Sequence, residues 1–303
     1  MKKKRLNLLI AFAVCALVQP YTVSAWSRLG HLTVAQIAYD HLDPQAKKVL
    51  LEKMDGVTLM SVASDADAYR AYWTTDIGFV PENLSQVRPR KAAYLNGFDH
   101  SQPGNIVPYP HCITVDADGK AYRDIRVGNK YIFNAAWYVC RLAEELKSGK
   151  LDEEQTKRAI ALITHFLGDM HCPVHIYYDA EKSQIGHFKV NYKGDVMKFH
   201  SFWDKEVPGI YSNSGKDLSA MADVCTAEEV RELTEGDVYD WAEDSAASCH
   251  KAVTELIPSS PDEVVEVSKL YPREYRGLLF SQLRKAGYRL AAIFNEIFGC
   301  EPK

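Results

Sequence analysis

Apolar positions recur every three or four residues along most of the chain, the spacing that lays one side of a helix against a core. Leu29–Leu42 carries Val34, Ile37, Ala38 and His41 at that spacing, and Pro44–Met54 continues it after a short break. Gly128–Gly149 holds Ile132, Ala135, Ala136, Cys140, Leu142 and Leu146 on one stripe. Glu153–Met170 follows with Ala159, Leu162, Ile163, Phe166 and Leu167. Two long amphipathic segments close the chain, roughly Val238–Leu256 and Glu274–Phe298. One stretch breaks the rule: His187–His200 alternates with period two around Lys193-Gly194-Asp195, which predicts a small β-hairpin. Residues 72–110, rich in Pro, Gly, Asn and aromatics, read as a long surface excursion. There is no internal repeat or linker, so the expectation is a mainly α, single-domain, multi-helix fold with one β-hairpin.

The first 25 residues differ from the rest. Lys2-Lys3-Lys4-Arg5 form a basic start, Leu6–Val18 an apolar run, and Val23-Ser24-Ala25 supplies small residues at −3 and −1. That order predicts a signal peptide (1–25) cleaved after Ala25, and with it secretion or a periplasmic location. Bulky Val14 makes a lipoprotein reading at Cys15 the weaker one. The apolar run is too short for a membrane span, and no later stretch reaches about 18 apolar residues. The mature domain, 26–303, then carries 32 basic and 40 acidic residues, a formal net charge of −8. Electrostatics alone would not hold nucleic acid to such a surface. Bound divalent cations would offset the acidity locally, so a phosphate substrate stays open. Six cysteines remain after cleavage, and an even count in an exported chain favours disulfides or packed thiols; Cys112 and Cys172 each follow a histidine, which makes a metal-ligand role the weaker reading for them.

The chemistry concentrates in residues 165–204. His165-Phe-Leu-Gly-Asp169-Met-His171-Cys-Pro-Val-His175 is followed by His200-Ser-Phe-Trp-Asp204. Residues four apart share a helix face, so each His-x-x-x-Asp pair presents an imidazole and a carboxylate to one point. Zinc asks for such nitrogen and oxygen donors at about 2 Å. His165 and Asp169 share the face of Leu162 and Phe166 and point inward, where an uncompensated carboxylate is costly. Pro173 ends or kinks the helix and frees His175 to turn back. His171 points elsewhere and reads as a structural hydrogen-bonder. Asp67, His111 and His31 are further candidates upstream.

Taken in order, Trp26-x-x-x-Gly30-His31, Asp67-x-x-Arg70, His111, the His165–His175 motif and His200-Ser-x-Trp-Asp204 closely resemble the three-zinc single-strand nucleases of the S1/P1 type. The likeness extends to Trp241-Ala-Glu-x-Ser245 and Ala286-Gly-Tyr-Arg289-Leu-Ala, so it spans the whole mature chain. It implies the mainly helical fold shared with zinc phospholipase C and three Zn2+ ions. One would take Asp67, His111, His165 and Asp169; its close neighbour His31, a bridging Asp169, and the amino group and carbonyl of Trp26. The third would take His175, His200 and Asp204. The implied reaction is attack on phosphorus by a hydroxide held between the two close zincs, with Arg70 on the phosphate oxygens. The implied substrates are single-stranded RNA or DNA and 3′-nucleotides, and a monomer is expected.

Three positions depart from the family pattern. Asp65 stands where a tryptophan is frequent, Thr114 where an Asp or Asn contacts the site, and Ile185-Gly186-His187 where Gly-Gly-Asn holds the base. His187 is thereby a substrate-contact candidate, and Tyr72, Tyr177 and Tyr178 are stacking candidates. Two other readings remain. A phospholipase C-like phosphodiesterase typically ends its second pair in Glu, so Asp204 favours the nuclease branch. A zinc-binding, catalytically weak protein that captures nucleotides is the alternative of another class.

Overall fold

The computed structural model describes residues 26–69, 111–127, 130–132, 134–178, 188–260 and 262–299. The signal segment, Arg70, Tyr72, the 72–110 excursion and Ile185-Gly186-His187 lie outside the described residues. The fold is mainly α, as the periodicity predicts. Its helices are α1 (Arg28–Asp40), α2 (Pro44–Lys53), α3 (Leu59–Val62), α4 (Asp65–Tyr69), α5 (Ala135–Ser148) and α6 (Glu153–Asp169). After them come α7 (Gly215–Ala222), α8 (Ala227–Leu233), α9 (Val238–Thr254), α10 (Tyr271–Glu274) and α11 (Arg276–Phe298). No helix among the described residues is long and apolar enough to cross a membrane.

Local chemistry sets the ends of these helices. At the start of α6 the Asp152 carboxylate accepts from the Gln155 amide at 2.8 Å, and the Gln155 side chain accepts from the Asp152 amide at 3.1 Å. This reciprocal pair satisfies two amides that have no intrahelical partner. α5 starts at Ala135, later than the stripe from Gly128 suggests. Asn134 is the reason: its side chain accepts from the Trp137 amide at 3.0 Å and donates to the carbonyls of Tyr122 and Asp124. The residues before it pair instead as β2 (Arg126–Val127) and β3 (Lys130–Tyr131).

The hairpin forms where the alternation predicts, with β5 (Lys189–Tyr192) antiparallel to β6 (Asp195–Lys198). Its two-residue turn puts Lys193 at φ 58° and Gly194 at φ 97°, the left-handed pair that tight hairpins require. Two pairings were not visible in the pattern. β7 (Val264–Glu266) runs parallel to β5. β1 (Ile113–Val115) runs parallel to β4 (Ile176–Tyr178), with Ile113 opposite Ile176. That second pairing places His111 and His175, each just ahead of its strand, side by side.

One hydrophobic core runs through the described residues. It takes in Val34 and Ile37 of α1, Ile163 and Phe166 of α6, Ala246 and Cys249 of α9, and Leu283, Leu290 and Phe294 of α11. α11 packs closely on α1: a side chain at Gly287 would put its Cβ 2.5 Å from Ile37 Cβ. Cys112, Cys140, Cys172, Cys225 and Cys249 form no disulfide among the described residues. Cys300 lies outside them. The disulfide expectation is thus not met for these five. Cys112, Cys172 and Cys249 are buried in a core of this size, which does not need cross-links to hold it.

Candidate metal centre

The C-terminal half of α6 is buried from Ala159 to Asp169, so His165 and Asp169 enter the interior together. A carboxylate on the last turn of a helix faces the negative end of the helix dipole, and only nearby cations can compensate it. His165 fixes its own tautomer, because Nδ1–H donates to the Ala63 carbonyl at 2.8 Å. Its Nε2 then points at the cluster, 3.2 Å from Asp169 Oδ2, 3.8 Å from Asp67 Oδ1 and 3.0 Å from His111 Nδ1. His111 Nδ1 also lies 2.5 Å from Asp169 Oδ2. The His31 ring stacks on His165 at 3.9 Å between centroids. His31 Nε2 stands 3.2 Å from Asp169 Oδ1, yet neither atom has hydrogen-bond geometry to a partner. Gly168 makes room for that ring, since a Cβ there would lie 2.9 Å from His31 Nδ1.

A second group sits beside the first. His175 Nδ1–H donates to the His111 carbonyl at 2.9 Å, which turns Nε2 outward to within 2.9 Å of His200 Nε2. His200 Nε2 is 3.0 Å from Asp204 Oδ2, and the Cys172 thiol donates to Asp204 Oδ1 at 3.4 Å. His200 lies in a short helical segment, Phe199–Ser201, that passes into a π-helix over Phe202–Glu206, so Asp204 stays on the side of His200. The segment just ahead of α1 is tied to this group: the Ser27 amide donates to the Asp204 carbonyl at 3.0 Å. Trp26 is fully buried, with its ring over Gly30, where any Cβ would lie 2.8 Å from Trp26 Cβ.

The charges of the two groups respond differently to burial. Burial pushes the Asp169 carboxyl up, but the positive fields of His165 and His111 outweigh it and hold the group well below the usual carboxylate range. Burial lowers His165, while Asp169 and Asp67 more than restore it, so the ring titrates above its ordinary value. Burial and His165 both lower His31. Burial carries Asp204 well above the usual range against His175, and burial with His200 brings His175 down to about 4. The surrounding imidazoles therefore favour the charged form of Asp169, and burial favours the uncharged forms of Asp204 and His175 in the second group.

These residues form three candidate metal-binding sets among the described residues. They are His31 with Asp67 and His165, His111 with His165 and Asp169, and Cys172 with His175 and Asp204. Every described histidine and aspartate proposed as a ligand is thus in or against a set, with His200 beside the third; Trp26 belongs to none of them. Arg70 and His187 fall outside the described residues. Cys172 joins the third set, the weaker of its sequence readings, since following a histidine is a slight signal by itself. The two carbonyls that fix tautomers, Ala63 and His111, had no sequence signal at all.

Other candidates resolve to structural roles. His171 donates from Nδ1 to the Leu167 carbonyl at 2.8 Å, and burial followed by the Arg289 charge lowers it to about 3. Asp116, the carboxylate two residues past Thr114, accepts at Oδ1 from the amides of Asp118 and Lys120, closing its own turn. The Tyr178 hydroxyl donates to the Ala246 carbonyl, a packing role. Asp65 begins α4 half-buried, its carboxyl raised by burial against the field of His165. Thr114 pairs with Tyr177 across β1 and β4.

The family model described as S1/P1 Nuclease matches residues 26–299. The chain belongs to the S1/P1 nuclease family. Nuclease P1 of Penicillium citrinum is 25% identical over 306 residues, covering 91% of this chain and 99% of that protein. Endonuclease 2 of Arabidopsis thaliana is 22% identical over 304 residues, covering 91% and 92%. Nuclease PA3 of a Penicillium species is 25% identical over the same span as the first. The family match begins at Trp26, so it takes in every described ligand candidate from the buried first tryptophan to Asp204.

Proposed function

We propose that this protein is an exported, zinc-dependent phosphodiesterase that hydrolyses single-stranded nucleic acid and 3′-nucleotides. The observation that carries the proposal is two pairs of facing imidazoles, His165 with His111 and His175 with His200. Both His165 and His175 spend an Nδ1 proton on a carbonyl, which turns Nε2 of each ring toward a neighbouring imidazole nitrogen at about hydrogen-bond distance. These nitrogens converge with the carboxylates of Asp67, Asp169 and Asp204, so a cation would find its ligands already gathered. The donor set, imidazole nitrogen with carboxylate oxygen, suits zinc.

In this reading Asp67, His111, His165 and Asp169 hold one zinc. His31, Asp169 and the amino group and carbonyl of Trp26 hold its neighbour, and His175, His200 and Asp204 hold the third. Bound zinc supplies Lewis acidity and lowers the pKa of coordinated water from about 15.7 to about 7. The chain's own part is positioning. Ala63 and His111 fix two tautomers, as the partners of metal-bound histidines generally do. Asp169 offers one oxygen to each half of the first cluster. Arg70 would grip the non-bridging phosphate oxygens with its planar fork, and His187 would contact the base. Cleavage after Ala25 would create the amine that the Trp26 ligand role needs.

The test uses protein beginning at Trp26, assayed on single-stranded DNA, RNA, 3′-nucleotides and phosphatidylcholine with and without a chelator. Chelator-sensitive cleavage of a nucleic-acid substrate is the expected result. Its absence on every such substrate would sink the proposal, and turnover of phosphatidylcholine alone would point to the phospholipase branch. A second preparation with one extra residue before Trp26 is expected to bind less zinc and lose activity; equal activity would remove the terminal amine from the ligand set.

A further inference from the structure

The motif around Arg289 lies far along the chain from the ligands, and neither of the metal groups uses it. Its guanidinium is buried and makes four separate polar contacts. Nη1 donates to His171 Nε2 at 2.8 Å and to the Trp241 carbonyl at 3.5 Å. Nη2 donates to Asp244 Oδ2 at 2.6 Å, and Nε donates to the Leu233 carbonyl at 2.9 Å. The face of the Trp241 ring lies 5.6 Å away. Asp244 is held in turn by Lys285, at 2.9 Å.

His171 is the hinge of this arrangement. It sits in the turn that joins Asp169 of the first metal group to Cys172 and His175 of the second. The turn is tight, with the His171 amide on the Gly168 carbonyl, the Cys172 amide on the Asp169 carbonyl and the His175 amide on the Cys172 carbonyl. The His171 ring bonds at both ends, from Nδ1–H to the Leu167 carbonyl and at Nε2 to Arg289. With Nδ1 protonated, Nε2 is an acceptor and matches a donor that is always charged. A shift of His171 therefore moves both groups at once.

We propose that Arg289 is a positioning residue for the metal centre, acting through His171 to set the turn from which both ligand groups project. A buried ion pair adds little net stability against well-packed apolar side chains, so stability is a weak reason for burying this one. Only a guanidinium meets acceptors from three directions with fixed geometry; an ammonium would satisfy one or two and leave His171. The neighbouring Gly287 serves the same end on the other side, because its missing Cβ lets α11 seat against α1, which carries His31.

The proposal rests on the reading that these groups bind zinc, and the experiment separates the two. Zinc affinity is measured for protein beginning at Trp26 across a series of chelator-buffered free zinc, together with Tm, kcat and KM. The variants are R289Q, R289K and D244N, with F294L as a core control on the same helix. R289Q is expected to weaken zinc binding about 10-fold or more, the scale seen when an outer partner of a metal site is lost. R289K and D244N fall between it and the wild type, and excess zinc restores kcat with KM unchanged. F294L lowers Tm without changing zinc affinity. If R289Q does not fold, D244N decides, because Asp244 is partly exposed and the change is isosteric. Wild-type zinc affinity in the folded R289Q or D244N variant overturns the proposal, as does a loss in F294L that tracks Tm equally. A wild-type protein that binds no zinc instead overturns the functional reading beneath it.

Discussion

Gly168→Ala separates the fold from the metal centre, because it adds one methyl group where the two meet. The new Cβ would lie 2.9 Å from His31 Nδ1 and 3.3 Å from His31 Cε1, against an ordinary contact of 3.4–4 Å. The ring must therefore retreat by about 0.5 Å or more, and it has nowhere free to go: His31 is 1% exposed and stacked on His165. Overpacking of this kind costs about 1–3 kcal/mol. Replacing a helical glycine by alanine returns about 1 kcal/mol. The net destabilisation is then about 0–2 kcal/mol, worth a few degrees in Tm for a chain of this size. Function responds more steeply, since a misplacement near 1 Å at a reacting site costs about 100-fold. The expected result is a folded protein with Tm within a few degrees of wild type. Its zinc binding and nuclease activity should fall on the order of 10- to 100-fold. Gly277→Ala is the matched control, because nothing lies within 4 Å of its added Cβ. It should raise Tm slightly and leave activity alone. Full zinc occupancy and wild-type activity in Gly168→Ala would refute the argument that His31 is held against Asp169 by the space at residue 168.

Three further outcomes follow from the same geometry. Removing zinc with a chelator should lower Tm, since a ligand at 100 times its Kd stabilises the folded state by about 2.7 kcal/mol; calorimetry with and without chelator checks it. Burial holds His171 near 3, below its unfolded value, so its share of stability is present above about pH 6.5 and is lost as pH falls through the unfolded pKa. That loss is about 2 kcal/mol between pH 7 and pH 5, and His171→Asn should flatten the acid limb of a stability–pH curve by that amount. Burial raises Asp204 well above the usual carboxylate range when no cation is near, so zinc competes with a proton there. Calorimetric titration in buffers of different ionisation enthalpy should show proton release on zinc binding. Affinity should rise with pH, and a pH-independent affinity would contradict the assignment of Asp204.

Local pattern was enough to find the long helices and the hairpin. Glu153–Asp169 and Val238–Thr254 appear nearly where their stripes place them, because one apolar face against a core is a property of the sequence itself. Capping by Asn134 moved the start of α5, and that needed the carbonyls of Tyr122 and Asp124, which only the folded chain brings near. The ligand types were equally legible, since His165 with Asp169 and His200 with Asp204 announce themselves by spacing. Their grouping was decided elsewhere. The parallel pairing of β1 with β4 joins segments more than 60 residues apart and sets His111 against His175. No periodicity encodes such a pairing, because its free energy comes from contacts the chain makes only after it has closed. The same holds for Gly168, a helix interior in sequence and the space for His31 in the fold, and for Arg289, which meets His171 across 118 positions. Sequence determined which donors this protein owns; tertiary packing decided which of them face one another, at what distance and in which tautomer.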